Sequence, residues 1–152
     1  MATPEERLAE LGLSVPEVVP PVAAYVPGRR SGGYVYTSGQ LPMRDGEMLA
    51  TGKVGADVSV ELATECARQA ALNALAAVRS QVPLSQVAAV VKVVVFVASS
   101  PDFTGQPGVA NGASELLGAV FGDAGRHARS AVGVSVLPLD APVEVELVVE
   151  VA

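Results

Sequence analysis

The chain has 152 residues, half of them apolar and 17% charged, with a mean hydropathy of +0.42; at roughly 100–200 residues per domain this is one domain able to bury a core, not a disordered chain. Aromatics make up only 4% and Trp is absent, so the core must be built from Val, Ala and Leu, and base stacking has few candidates. Ten basic against sixteen acidic residues leave a net charge of −6, which argues against affinity gained by neutralising nucleic-acid phosphates.

Pro4 opens a short helix through Glu5, Glu6, Leu8, Ala9 and Leu11, and Gly12 ends it, with proline in the first turn and glycine past the last. Its glutamates and its lack of an apolar run set this N-terminus apart from a signal peptide. Pro16, Pro20, Pro21 and Pro27 predict a segment extended along an edge, and Tyr25 lies on it. Tyr34 to Ser38, β-branched and aromatic after Gly32-Gly33, reads as a strand, and Asp45-Gly46 is a tight-turn pair that returns Met48 to Ala50 beside it.

Ser59 caps a long amphipathic helix with Ala63, Ala67, Ala70, Ala71, Ala74 and Val78 along one stripe and Glu61, Glu65, Arg68, Gln69 and Arg79 opposite. After Pro83, Val90 to Val97 is apolar on both faces, the pattern of a strand covered on both sides. Lys92 interrupts it well short of the ~18 residues of a membrane span. Strand, helix and strand in this order form a crossover unit. Asp102 begins a glycine-interrupted helical segment, strongest from Asn111 to Phe121.

Val143 to Val151 alternates valine and leucine with Glu144, Glu146 and Glu150, and Val132, Val134 and Val136 alternate with Ala131, Gly133 and Ser135. Pairing these two strands with both valine rows on one face sets Val134 opposite Val145, Ser135 opposite Glu144, and Arg129 opposite Glu150. The other face then carries small residues beside carboxylates, which fits a partner subunit or a ligand better than open solvent. A lone cysteine, Cys66, excludes an internal disulfide and, with the lone His127, a Cys/His zinc site. A reducing cytoplasm is the expected setting.

Ser38-Gly39-Gln40, the strand end Val95-Phe96-Val97, Asp102-Phe103, Asn111, Ala128 to Val134, Leu137-Pro138 and Val143-Glu144-Val145-Glu146 occur in the order of the RidA family. This family is also called YjgF/YER057c/UK114 and carries the older label "endoribonuclease L-PSP". The chain resembles it from about residue 22 to the C-terminus. Residues 1–15 read as a short N-terminal helical extension of the single domain, residues 1–152. That extension and the connection Thr104 to Gly108 point to a divergent subgroup. The resemblance implies an α+β, chorismate-mutase-like fold: a mixed sheet packed on two α-helices and assembled as a homotrimer through its other face. It implies no cofactor or metal. The implied activity is hydrolysis of enamines and imines such as 2-aminoacrylate and 2-iminopropanoate to 2-oxo acids and ammonia.

By this resemblance Arg129 grips the substrate carboxylate, a task suited to a guanidinium fork that stays protonated. The other reading of Arg129 is an ion pair with Glu150. Glu144 matches the glutamate that orients the attacking water, or else is a solvated strand residue. Tyr25 matches a tyrosine over the pocket, or is an edge aromatic. Ser38 and Gly39 correspond to a strand end lining the site. Asn111 matches an asparagine supplied across the interface, or caps a helix. Ala131 stands beside the ligand where many relatives have cysteine, and Gly133 replaces a larger residue, which predicts a wider pocket. Cys66 reads as a small buried hydrophobe, and His127 as exposed or at the pocket rim.

In the predicted register Arg129 and Glu144 share a face but lie ~20 Å apart at ~3.3 Å per residue, so one site needs two chains. The competing functions are a small-carboxylate-binding trimer of the same family, RNA cleavage, which charge and a single histidine disfavour, and a chorismate-mutase-type reaction by fold analogy alone.

Overall fold

The computed structural model describes residues 2–21 and 23–152. Helix α1, Pro4–Glu10, starts with a capping box: Thr3 Oγ1 accepts from the Glu6 N–H and the Glu6 carboxylate accepts from the Thr3 N–H, both at 3.1 Å. Gly12, at φ 73, ends it with Gly12 and Leu13 N–H groups returning to Ala9 and Leu8 carbonyls. The proline-rich segment beyond it forms no strand among the described residues and is tied down by Arg79, which donates to the Pro16 carbonyl at 3.0 Å. Val22, within that segment, lies outside the described residues.

Strand β1, Gly28–Ser31, pairs with β2, Tyr34–Thr37, through Gly32-Gly33. β1 has no apolar alternation to announce it. The Asp45-Gly46 turn, with φ 54 and 81, does make a hairpin, between β3, Met43–Arg44, and β4, Glu47–Met48. It forms a separate ribbon and does not return beside Tyr34 to Thr37. The ribbon is clamped to α2, Val60–Arg79, by Asn73, whose amide donates at 2.9 Å to the carbonyls of Leu41 and Met43. Gln69 bridges Asn73 and Arg44. This role buries Gln69, although the sequence pattern sets it with Glu61, Glu65, Arg68 and Arg79 opposite the alanine stripe.

β5, Val87–Ala98, and α3, Gln106–Phe121, lead to β6, Ala128–Val134, and β7, Val143–Val151, closes the chain. α3 starts five residues before Asn111, with Pro107 in its first turn. The sheet order is β1-β2-β7-β5-β6, with β6 parallel to β5 and β7 antiparallel to both β5 and β2. The expected β6–β7 hairpin is therefore wrong: β5 lies between them. The connection contains Pro138 and Pro142, and Leu139 and Asp140 take φ 58 and 57, so it crosses the end of β5 instead of turning tightly. Val93, Val95 and Val97 fill this interior strand, and β6, with its small Ala131 and Gly133, takes the edge.

Register then fixes the faces. Arg129, Val93 and Leu147 align across three strands, as do Ala131, Val95 and Val145, and Gly133, Val97 and Val143; these face the helices. Ser130, Val94 and Glu146, and Val132, Phe96 and Glu144, face the other way. The two valine rows expected on one face thus lie on opposite faces.

The core is mostly aliphatic: the alanine stripe of α2 and Leu117 and Val120 of α3 against Val93, Val95, Val145 and Val149, with Phe121 its one buried aromatic among the described residues. Small residues let backbones approach. A Cβ on Gly112 of α3 would overlap the Thr64 carbonyl of α2 and lie 3.0 Å from its carbon. Gly112→Ala is expected to cost roughly 1–3 kcal/mol by overpacking, a drop of several degrees in Tm measured by calorimetry; an unchanged Tm would show that the two helices are not in this contact.

Candidate functional site

Arg129 reaches from the edge strand to α3. Its Nη1 donates to Asn111 Oδ1 at 2.8 Å and Ser114 Oγ at 3.2 Å, and Nη2 donates to the Pro107 carbonyl at 3.4 Å. All three partners are neutral, so the positive charge is oriented without being cancelled. Nε–H and one Nη2 N–H remain uncommitted among the described residues. The ion pair with Glu150 does not form: Glu150 pairs with Tyr34 and Ala89, on strands away from β6, and its parity puts it on the opposite face. Asn111 is an interior helical residue and not a cap, and it meets Arg129 of its own chain.

Glu144 belongs to a second cluster, on the face away from the helices. Gln40 bridges Val145 in both directions, at 2.8 and 2.9 Å, which brings Gly39 onto Glu144. A Cβ on Gly39 would lie 2.6 Å from Glu144 Cδ, so only glycine leaves the half-buried carboxylate in place. Burial, and then the charge of Glu146, push the Glu144 pKa up. Ser38 donates from N to the Pro27 carbonyl at 2.8 Å and from Oγ to the Val26 carbonyl at 2.6 Å, pinning the chain next to Tyr25, which is exposed.

Tyr25, Ser38, Gly39 and Glu144 therefore form one group, and Arg129, Asn111 and Ala131 another. Arg129 and Glu144 do not share a face, contrary to the expected register. Two strand spacings and three residues separate them, about 14 Å between Cα atoms. The spacing Asn111 to Ser114, three residues on a helix, marks two side chains on one face; only strand pairing shows that Arg129 lies across from them.

His127 is half-buried rather than exposed: Nε2 lies 2.8 Å from Ser114 Oγ, and Nδ1 lies 2.6 Å from the Gly125 carbonyl. Gly133 borders a shallow bowl in which Gln106 takes the space beside it. A Cβ there would meet Gln106 Nε2 at 2.8 Å, and Gln106 is itself held by Ser99 Oγ and the Phe103 carbonyl. The bowl at that point, about 420 Å³, includes Lys53, Ser99, Phe103 and Gln106 in its lining. A larger groove of about 760 Å³ runs between the segment after α1 and the β3–β4 ribbon and contains none of the expected site residues. No group of acidic, His and Cys side chains among the described residues is arranged to hold a metal ion, and no helix is long and apolar enough to cross a membrane.

Residues 5–151 match the family model described as "YjgF/chorismate mutase-like, putative endoribonuclease". The match includes most of α1. Over 146 residues the chain is 44% identical to "Protein TCP17" of Trypanosoma cruzi, covering 95% of this chain and 91% of that protein. It superposes with a TM-score of 0.92 on the Atu1372 protein of Agrobacterium tumefaciens, described as of unknown function, at 46% identity over 98% of this chain and 92% of that one. A structure from Shewanella oneidensis described as a "putative endoribonuclease" gives a TM-score of 0.96 at 34% identity, over 99% and 100% of the two chains. The fold is thus α+β of the YjgF/chorismate-mutase-like type.

Two titrations test these environments. The folded chain holds the Glu144 proton more tightly than the unfolded chain, so ionisation costs stability; the cost is absent below the unfolded value of about 4.5 and grows as pH rises through the folded value. Glu144→Gln is expected to raise Tm at pH 7 by a few degrees and to leave it unchanged near pH 3, where both side chains are neutral. Cys66 is fully buried, and burial first, then Glu65, push its thiol up to about 11, against a smaller opposing pull from Arg44. A thiol reagent at pH 7.5 is expected to modify it only after denaturation.

Proposed function

Because the chain belongs to the YjgF/chorismate-mutase-like family, we propose that it is an enamine/imine deaminase that hydrolyses 2-aminoacrylate and 2-iminopropanoate-type intermediates to 2-oxo acids and ammonia. The observation that carries this reading is the Arg129 guanidinium, held at a sheet edge by three neutral groups with its charge uncancelled. Such a group binds a small carboxylate through charge-assisted hydrogen bonds and fixes the adjacent imine carbon in one orientation.

The enamine first takes a proton at its terminal carbon and gives up one from nitrogen, forming the imine. Water then adds to the imine carbon, its proton passes to nitrogen, and the carbinolamine expels ammonia as the carbonyl forms. This needs a proton shuttle and a placed water, not a strong nucleophile. Glu144, whose pKa is raised by burial, supplies the shuttle nearer neutral pH than an ordinary glutamate would. Ser38 and Gly39 border it, and Tyr25 covers the same end.

Arg129 and Glu144 point to opposite sides of one sheet, so the site forms between copies: Arg129, Asn111 and Ala131 of one subunit against Tyr25, Ser38, Gly39 and Glu144 of the next. The family homotrimer supplies such junctions. The open sheet face supports this assembly, since it carries Tyr34, Tyr36, Val94, Phe96, Val132 and Val148 interleaved with Lys92, Glu144, Glu146 and Glu150. RNA cleavage, named in the descriptions of relatives, finds less support: the chain is net acidic, and its one histidine already has partners at both ring nitrogens.

A serine dehydratase with L-serine generates the imine, whose decay is followed with and without this protein. Arg129→Ala is expected to lower kcat/KM about 100-fold, and Glu144→Gln to act mainly on kcat. Trimers reassembled from an equal mixture of the two inactive variants are expected to recover about a quarter of the activity, because half the junctions draw Arg129 from an intact chain and half of those draw an intact Glu144. No recovery would exclude the shared site. No acceleration by the parent protein, with 2-oxo acid binding that Arg129→Ala abolishes, would leave a carboxylate-binding trimer instead.

A further inference from the structure

Behind Arg129 lies a hydrogen-bond chain with only one consistent direction in the neutral imidazole. The Gly125 carbonyl can only accept, so His127 Nδ1, 2.6 Å away, carries the ring proton. Nε2 is then an acceptor, and the Ser114 hydroxyl, at 2.8 Å, donates to it. With its proton turned towards His127, Ser114 Oγ presents lone pairs to Arg129 Nη1 at 3.2 Å. The chain thus runs from Arg129 N–H to Ser114, to His127, to the backbone at Gly125. Its far end is firm, because Gly125 packs against α3 so closely that a Cβ there would sit 2.9 Å from the Leu117 carbonyl carbon.

We infer that Ser114 and His127 are positioning residues for Arg129: they aim its free edge at the substrate carboxylate while leaving its charge unneutralised. This rests on the reading of Arg129 as the carboxylate anchor. The chemistry of the pair explains why neutral groups are used. A carboxylate at either position would hold the guanidinium equally well but cancel the charge that the ligand needs, whereas a hydroxyl backed by a neutral imidazole accepts the N–H and adds no counter-charge. Serine backed by histidine also resembles an activated nucleophile. Here the Oγ accepts from a guanidinium, which draws electron density away from it, so the pair serves orientation.

The lone histidine makes the test direct. In the parent protein, ¹⁵N-resolved NMR is expected to show His127 as the Nδ1–H tautomer, and titration with 2-oxobutanoate to move its ring signals through Ser114. Calorimetric Kd values for 2-oxobutanoate are expected to rise about 5–10-fold in Ser114→Ala and in His127→Ala, and no further in the double variant, because the two act as one chain. Ser114→Thr keeps the hydroxyl and is expected to return Kd to within about 2-fold of the parent and to restore the ligand-dependent shift. Thermal melts confirm folding, and Ser114→Thr and His127→Gln serve where an alanine variant does not fold. If Arg129→Ala loses binding but both partner variants keep the parental Kd, or if their losses multiply, the positioning role is overturned while the carboxylate anchor stands. If Arg129→Ala binds normally, the anchor itself is overturned and the pair with it.

Discussion

β5 is hydrogen-bonded along both edges, to β6 in parallel and to β7 in antiparallel register, and everything functional in the molecule takes its orientation from that. Side chains alternate along a strand, so one central register assigns every residue of both neighbours to a face. Arg129 is sent towards α3 and Glu144 away from it. Had β6 paired directly with β7, both would have shared a face and Arg129 would have faced Glu150, an arrangement in which the guanidinium is neutralised. The valines of β5 suit an interior strand because they are apolar at consecutive residues, whereas β6, with its small Ala131 and Gly133, takes the edge.

Placing Arg129 at the edge has an electrostatic consequence. An edge strand leaves room for α3 to offer side chains directly, and the helix brings Asn111 and Ser114 to the guanidinium with a backbone carbonyl, all uncharged. The chain has six more acidic than basic residues, yet none of the partners holding this arginine is acidic. On the other face the reverse holds. Glu144 and Glu146 lie on one strand face beside Val94 and Phe96, and burial and mutual repulsion make the Glu144 proton harder to remove. One sheet thus keeps a cation held by neutral partners and a carboxylate reluctant to ionise on opposite faces.

A chain poor in histidine, cysteine and aromatics is not poorly equipped for the proposed imine hydrolysis. Hydrolysis of an imine begins from an electrophilic carbon, so anchoring and a placed water supply most of what is needed. Fixing long side chains with short neutral ones is a low-entropy way to achieve this: Ser114 and Asn111 lose little freedom on ordering, and the glycine at 39 gives the Glu144 carboxylate its space.

The amino-acid order by itself determined the elements with strong local grammar. Helix α1 and its glycine stop, the Ser59 cap with the alanine stripe behind it, the valine strand after Pro83 and the alternating final strand all follow from capping chemistry and periodicity, which act within a few residues. It also determined the family, through Ala128 to Val134 and the final Val-Glu alternation. Strand neighbours are a different kind of fact. β6 and β7 are adjacent in sequence and parity favours pairing them, but either of two pairings buries one valine row, and local pattern cannot count the strand that inserts between them. For the same reason β1, lacking alternation, and buried Gln69, sharing a helix face with charged residues, were not legible. Only the tertiary structure decided that Arg129 meets Asn111, Ser114 and, through Ser114, His127, because those contacts join a helix to a strand edge that pairing alone positions.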